Sequence, residues 1–218
     1  MIKKSKKLTL DDQKIIQRYS DRLKKYGYNP KTLGWDSKKN QNERFKRCLA
    51  NIKIKNPKIL DIGCGFGDFY NFIINNNFLH KSYTGLDINN DILNIARKKF
   101  PKGKFINQNF INKNLKNKYD LVCLFGFINL KLRHVDNLQF ATKIIKKSFK
   151  LTNKILVIDM LSSKVNKNYK KENFVNYYSP IDVINIASKI SSNFKLIHNL
   201  KSIPQREMLL ILEKNENN

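Results

Sequence analysis

Residues 59–69 read Ile59-Leu60-Asp61-Ile62-Gly63-Cys64-Gly65-Phe66-Gly67-Asp68-Phe69. An apolar run gives way to three glycines at every second position and then to an apolar stretch of helical spacing, so a strand turns sharply into a helix. Gly63, Gly65 and Gly67 lack a Cβ, which lets the backbone turn tightly and approach a ligand closely. The following helix aims its free N–H groups at the same place. This is a nucleotide-binding turn.

The spacing narrows the ligand. A dinucleotide turn is spelled G-x-G-x-x-G, with a helix N-terminus facing a pyrophosphate. Here the run is G-x-G-x-G, and Asp61 stands two residues ahead of it. A carboxylate at that entrance suits an ammonium and a sulfonium better than a phosphate, and S-adenosylmethionine (AdoMet) carries both. Asp87, twenty residues after Gly67, ends the apolar run Tyr83-Thr84-Gly85-Leu86 and can accept from ribose hydroxyls. On Asp61, the three glycines and Asp87, each at a strand end, the chain resembles the class I AdoMet-dependent methyltransferases from about Ile59 to the C-terminus.

The resemblance implies AdoMet as cofactor and an α/β, Rossmann-like, mostly parallel seven-stranded sheet with a final antiparallel strand and helices on both faces. It assigns Asp61, Gly63, Cys64, Gly65, Gly67 and Asp87 to the cofactor. After the third strand, Asn109 stands where the family usually has an aspartate that bonds the adenine amino group, and an amide can still accept through its oxygen. Phe110 or Ile88 packs on the adenine face, or in the core. After the fourth strand, Phe125 and Gly126 are expected along the methionine portion.

At 218 residues and 41% hydrophobic content the chain can bury the core of one domain. The expected division is a helical lid over residues 1–56 and an AdoMet-binding core over 57–218. No apolar stretch reaches the length of a membrane span, and the Lys-rich start runs into Thr9-Leu10-Asp11-Asp12, not an apolar signal core, so a cytoplasmic protein is expected. Three cysteines without a CxxC or Cys/His cluster suggest neither a disulfide framework nor a metal site.

The formal charge of +26 admits two readings. A basic surface concentrates polyanions such as RNA or an anionic membrane. Yet 36 Lys against 7 Arg, with 30 Asn, is what an A/T-rich genome produces. That bias does not account for the scarcity of Asp and Glu, and residues 1–58 alone hold 18 basic and 5 acidic residues. Weak, non-specific nucleic-acid or anionic-surface binding is therefore expected alongside a small-molecule acceptor.

Thr9 and Asp12 signal a helix start, and Leu10, Ile15, Ile16, Tyr19, Leu23 and Tyr26 keep to one face until Gly27. A second helix is predicted over 37–51. Thereafter strands at 58–62, 82–87, 104–108, 119–125 and 154–160 alternate with helices at 68–75, 90–99 and 136–150, the pattern of a parallel sheet covered on both faces. Ser179 caps a further helix with Pro180 in its first turn. Closing strands near 194–200 and 207–212 leave no room for a crossover and should pair antiparallel.

The fourth strand is followed by neither the Asp/Asn-Pro-Pro-Tyr of nucleobase amino-methyltransferases nor a Pro-Cys pair, which argues against base methylation. Asn129 and His134 are expected to face the acceptor. If the acceptor must lose a proton, His134, Asp159, Tyr177 and Tyr178 are the candidate bases, and the sequence does not choose among them. Leu33-Gly34-Trp35-Asp36, Gln41-x-x-Arg44-Phe45, Tyr178-Ser179-Pro180 and His198-Asn199 resemble a group of uncharacterised bacterial small-molecule methyltransferases. That likeness implies that Trp35 and Gln41 close over cofactor and acceptor, with Arg206 near the rim; Trp35 packed beneath the first helix is the alternative, and an enclosed acceptor pocket lined by Trp35, Tyr177 and Asn129 would mark a catalyst. The expected function is methyl transfer to oxygen or nitrogen of a small metabolite or sugar-like acceptor. The rivals are an RNA or anionic-lipid methyltransferase and a non-catalytic AdoMet-binding module.

Overall fold

The structure is a computed structural model and describes residues 8–165, 169–198 and 207–215. Seven strands form one sheet in the order β3-β2-β1-β4-β5-β7-β6. They are β1 (Lys58–Ile62), β2 (Ser82–Asp87), β3 (Lys104–Asn107), β4 (Tyr119–Leu124), β5 (Thr152–Leu161), β6 (Phe194–Ile197) and β7 (Glu207–Glu213). The first five run parallel, while β7 lies antiparallel to both of its neighbours, β5 and β6.

The middles of the central strands β4, β5 and β7 are continuous apolar runs because both faces are covered. Along β4, Leu121 and Cys123 enter one core and Val122 and Leu124 the other. The same alternation governs Ile155 to Ile158 in β5 and Leu209 to Leu212 in β7. One face is packed by α2 (Lys38–Ala50), α3 (Asp68–Asn75) and α4 (Asn90–Lys99), which contribute Phe45, Phe69 and Leu93. The other is packed by α5 (Asn137–Leu151) and α6 (Pro180–Ser188) through Ile144, Ile145 and Val183. Each such side chain contributes about 1.5–3 kcal/mol by leaving water.

α1 (Leu10–Tyr26) opens with a capping box in which Asp12 N donates to Thr9 Oγ1 at 3.1 Å and Thr9 N to Asp12 Oδ2 at 2.9 Å. Gly27, at φ +60°, ends it. A 3-10 turn at Pro30–Leu33 then leads into α2. The predicted elements are present with shifted ends. β5 begins at Thr152, directly after α5, because Thr152 bonds back to Ser148 O at 2.9 Å and then pairs with Tyr119 without a connecting loop. Ser179 holds the N-cap position of α6, but its hydroxyl makes no cap bond; its carbonyl accepts from Val183 N at 3.1 Å. Asn199, Leu200 and Arg206 lie outside the described residues.

Candidate active site

The glycine turn is fixed by its neighbour strand. Gly63 N and Cys64 N donate to Leu86 O at 2.7 and 3.0 Å, and Gly63, Gly65 and Gly67 have φ of +76°, +54° and +75°, which a residue with a Cβ rarely adopts. Asp87, at the end of β2, is held by Gly65 N at 2.9 Å and Asn89 N at 2.9 Å. Burial raises its pKa, and the N–H groups of Asn89, Gly65 and Ile88 oppose the rise. The carboxylate keeps lone pairs for a further donor.

Asp61 is buried, accepts from Tyr83 Oη at 2.7 Å, and has its pKa pushed up by burial to about 7. The Tyr83 bond opposes that shift, while the charges of Asp87 and Asp68 add to it. Burial likewise raises the Cys64 thiol, so it is neutral.

These groups line one cleft at the carboxyl ends of the strands, with about 1640 Å³ of empty space that is partly open solvent. It runs from Asp87, Ile88, Gln108, Asn109 and Phe110 at the β2–β3 side to Asn129 and Glu207 at the β4–β7 side. Residues of the N-terminal segment cover it. Asn89 Nδ2 bonds Ile16 O at 3.2 Å and Ser20 Oγ at 3.0 Å, Arg18 lies 4.1 Å over the Phe174 ring, and Asp12, Ile15 and Tyr19 face the cleft. A Cβ on Gly65 would come within 2.7 Å of Leu33 and one on Gly126 within 3.4 Å of Trp35, so these two side chains rest directly on the two turns.

At the β4–β7 side, Asp159 Oδ1 accepts from Gly126 N at 2.9 Å and from Asn129 Nδ2 at 3.4 Å, and Asn129 Oδ1 accepts from Leu161 N at 3.1 Å. Arg44, buried under the Trp35 ring at 4.5 Å, lies 3.5 Å from Asp159 and also pairs with Glu207. Burial lowers the Arg44 pKa to about 10 and raises that of Asp159, with Arg44 opposing the latter. One guanidinium thus serves two buried carboxylates. Glu207 Oε2 is buried with no hydrogen-bond partner among the described residues.

Several expectations are corrected here. His134 is exposed on the loop before α5, outside the cleft lining, where its backbone N donates to Asp11 Oδ2 at 3.3 Å. Tyr178 is 2% exposed and its hydroxyl donates to Ile128 O at 2.8 Å; burial raises its pKa, so it serves as a core strut and not a base. Tyr177 stands behind the cleft wall, bonded to Tyr169 Oη at 3.3 Å and Glu172 N at 3.1 Å, two residues that do line it. Gln41 lines the cleft, but its amide is spent on Asp68 at 3.0 Å and Lys38 at 3.1 Å. Asn109 is in place with its polarity reversed: Oδ1 already accepts from Ile111 N at 2.9 Å, so the NH₂ is the free end. Trp35, Ile88, Phe110, Phe125 and Gly126 line the cleft. Asp12, Tyr19, Asp68, Gln108 and Glu207 were missed, since only strand register and the fold of the N-terminal segment bring them there.

The residues fit AdoMet: a buried carboxylate for a cation, a strand-end carboxylate for hydroxyls, and two unpaired amide donors at the base end. Sheet order, glycine turn and strand-end carboxylates define the class I AdoMet-dependent methyltransferase fold, and residues 60–150 match the family model described as methyltransferase domain. Residues 60–150 therefore carry a methyltransferase domain within that fold.

Among solved structures, the magnesium protoporphyrin IX methyltransferase of Synechocystis PCC 6803, crystallised with AdoMet, superposes at TM-score 0.66 with 16% identity over 96% of this chain and 100% of that one. An AdoMet-dependent methyltransferase of Clostridium acetobutylicum gives 0.62 and 15% over 89% and 98%. In sequence, the chain is 30% identical over 149 residues to 235L of Invertebrate iridescent virus 6, whose name assigns it to the methyltransferases. The match covers 64% of this chain and 55% of that protein, so the chain spans about half the length of this curated relative.

Proposed function

We propose that the protein transfers a methyl group from AdoMet to an oxygen or nitrogen of a small, neutral or cationic acceptor, with residues 8–56 of the N-terminal segment serving as a lid. The observation that carries this reading is charge segregation. Of the described residues lining the cleft, Asp12, Asp36, Asp61, Asp68, Asp87, Glu172 and Glu207 are acidic and only Arg44 is basic, although the chain holds 43 lysines and arginines and 17 acids. An acidic cleft attracts a sulfonium and an ammonium and repels a phosphodiester chain. The RNA rival loses its main support, because the positive charge lies elsewhere.

When bound, AdoMet supplies an electrophilic methyl group. The chain's own part is to orient and to exclude water: Asp87 accepts from hydroxyls, Asp61 faces positive charge, and Trp35 and Leu33 close the lid. Positioning can provide most of the acceleration of a displacement. Where the acceptor is a hydroxyl, Glu207 Oε2 is the group suited to take its proton. A buried unpaired oxygen costs about 1–3 kcal/mol, a cost that a mere AdoMet-binding module has no reason to retain.

The test uses methyl-labelled AdoMet with a metabolite extract separated by charge. Label should appear in the neutral or cationic fraction. Label confined to the anionic fraction, or entering RNA, would contradict the proposal.

A further inference from the structure

We infer that the adenine end of the cleft reads its base with hydrogen-bond donors, Gln108 and Asn109 addressing ring-nitrogen acceptors, and offers no side-chain acceptor at position 109 for the exocyclic amine. The inference rests on the AdoMet reading above and deepens it. After β3 the chain folds back: Gln108 N donates to Asp87 O at 2.8 Å, and Asn109 Oδ1 takes the N–H of Ile111 at 2.9 Å. That local turn fixes the amide. Rotating it by half a turn would set its NH₂ against the Ile111 N–H, donor facing donor.

What remains are two buried amide nitrogens, Gln108 Nε2 and Asn109 Nδ2, with no hydrogen-bond partner among the described residues, on consecutive residues that both line the cleft next to Ile88, Phe110 and Asp87. Buried donors without acceptors carry a desolvation penalty that a ligand bringing acceptors removes. Adenine offers three ring nitrogens as acceptors. An aspartate at 109 would keep the Ile111 bond with one oxygen and present the other as an acceptor, so the single change from carboxylate to amide inverts what the pocket asks of the base.

The experiment is calorimetric titration of the full chain with S-adenosylhomocysteine, its analogue lacking the 6-amino group, and its 1-deaza, 3-deaza and 7-deaza analogues. Loss of the amine should change affinity less than about threefold, while at least one deaza analogue should bind roughly tenfold more weakly, the scale of one hydrogen bond. Asn109→Asp should reverse the order, the amine-less analogue then losing about tenfold against the parent. An amine-less analogue that loses more than every deaza analogue in the wild type, or five ligands of equal affinity, would overturn the inference. No binding of S-adenosylhomocysteine itself would bring down the AdoMet reading and this inference with it.

Discussion

Asp61 couples the cofactor site to pH. Its folded pKa of about 7 lies above the usual carboxylate value because burial disfavours the charge. An acid raised on folding stabilises below its unfolded pKa, and that contribution is lost as pH rises through about 7. A ligand ammonium group holds the carboxylate ionised, so S-adenosylhomocysteine affinity should climb as pH rises towards 7 and level off above it. Titrations at pH 5.5, 6.5 and 7.5 check this, and Asp61→Asn should flatten the profile. At Gly65, an alanine meets both φ +54° and Leu33 at 2.7 Å. Gly65→Ala should cost about 1–3 kcal/mol of unfolding free energy, and Leu33→Ala in the same chain should recover the steric part only. Gly65, Asp61 and Asp87 were readable in the sequence because glycine spacing and strand-end position are properties of the local sequence pattern. The hydrogen-bond polarity of Asn109 was not, since it depends on where the Ile111 N–H points. His134 and Tyr178 misled because residue type alone does not tell a surface imidazole or a buried strut from a base.

Among the elements, one core residue, Asn89, makes two hydrogen bonds to α1. Asn89 caps α4 by accepting from Ile92 N at 3.1 Å, and the same amide donates to Ile16 and Ser20 of α1. Asn89→Ala should therefore cost about 1 kcal/mol as a lost cap and raise hydrogen exchange along residues 10–26, with weaker S-adenosylhomocysteine binding. Asn89→Asp, which keeps the cap acceptor, should restore stability but not lid protection. The sheet was visible from sequence because a strand buried on both faces holds a short unbroken apolar run, as β4, β5 and β7 do at 121–124, 155–158 and 208–212. Its ends were less visible. The direct passage from α5 into β5 gives no Gly or Pro to mark it, and the contact of Glu207 with Arg44 exists only through the pairing of Leu161 with Glu207.

At the scale of the molecule, two concavities among the described residues differ in charge. The cleft at the carboxyl ends of the strands is acidic, while Lys58, Lys81, Lys102, Lys104 and Lys118, with His80, surround a concavity at the amino ends of β1 to β4 that has no acidic residue in its described lining. Single-stranded RNA should bind weakly, at about 10⁻⁴–10⁻⁶ M at physiological salt, with affinity falling steeply as salt rises. Saturating S-adenosylhomocysteine should not displace it, and RNA should receive no methyl label; competition between the two ligands would place RNA in the cleft instead. The central claim is that the cleft holds AdoMet through Asp87 and the glycine turn. Calorimetric titration of AdoMet into the wild type and Asp87→Ala tests it most directly, with thermal unfolding confirming that the variant is folded. The account predicts one site per chain in the wild type and a loss of about 1–3 kcal/mol in the variant; no binding by the wild type, or equal affinity in both, would contradict it.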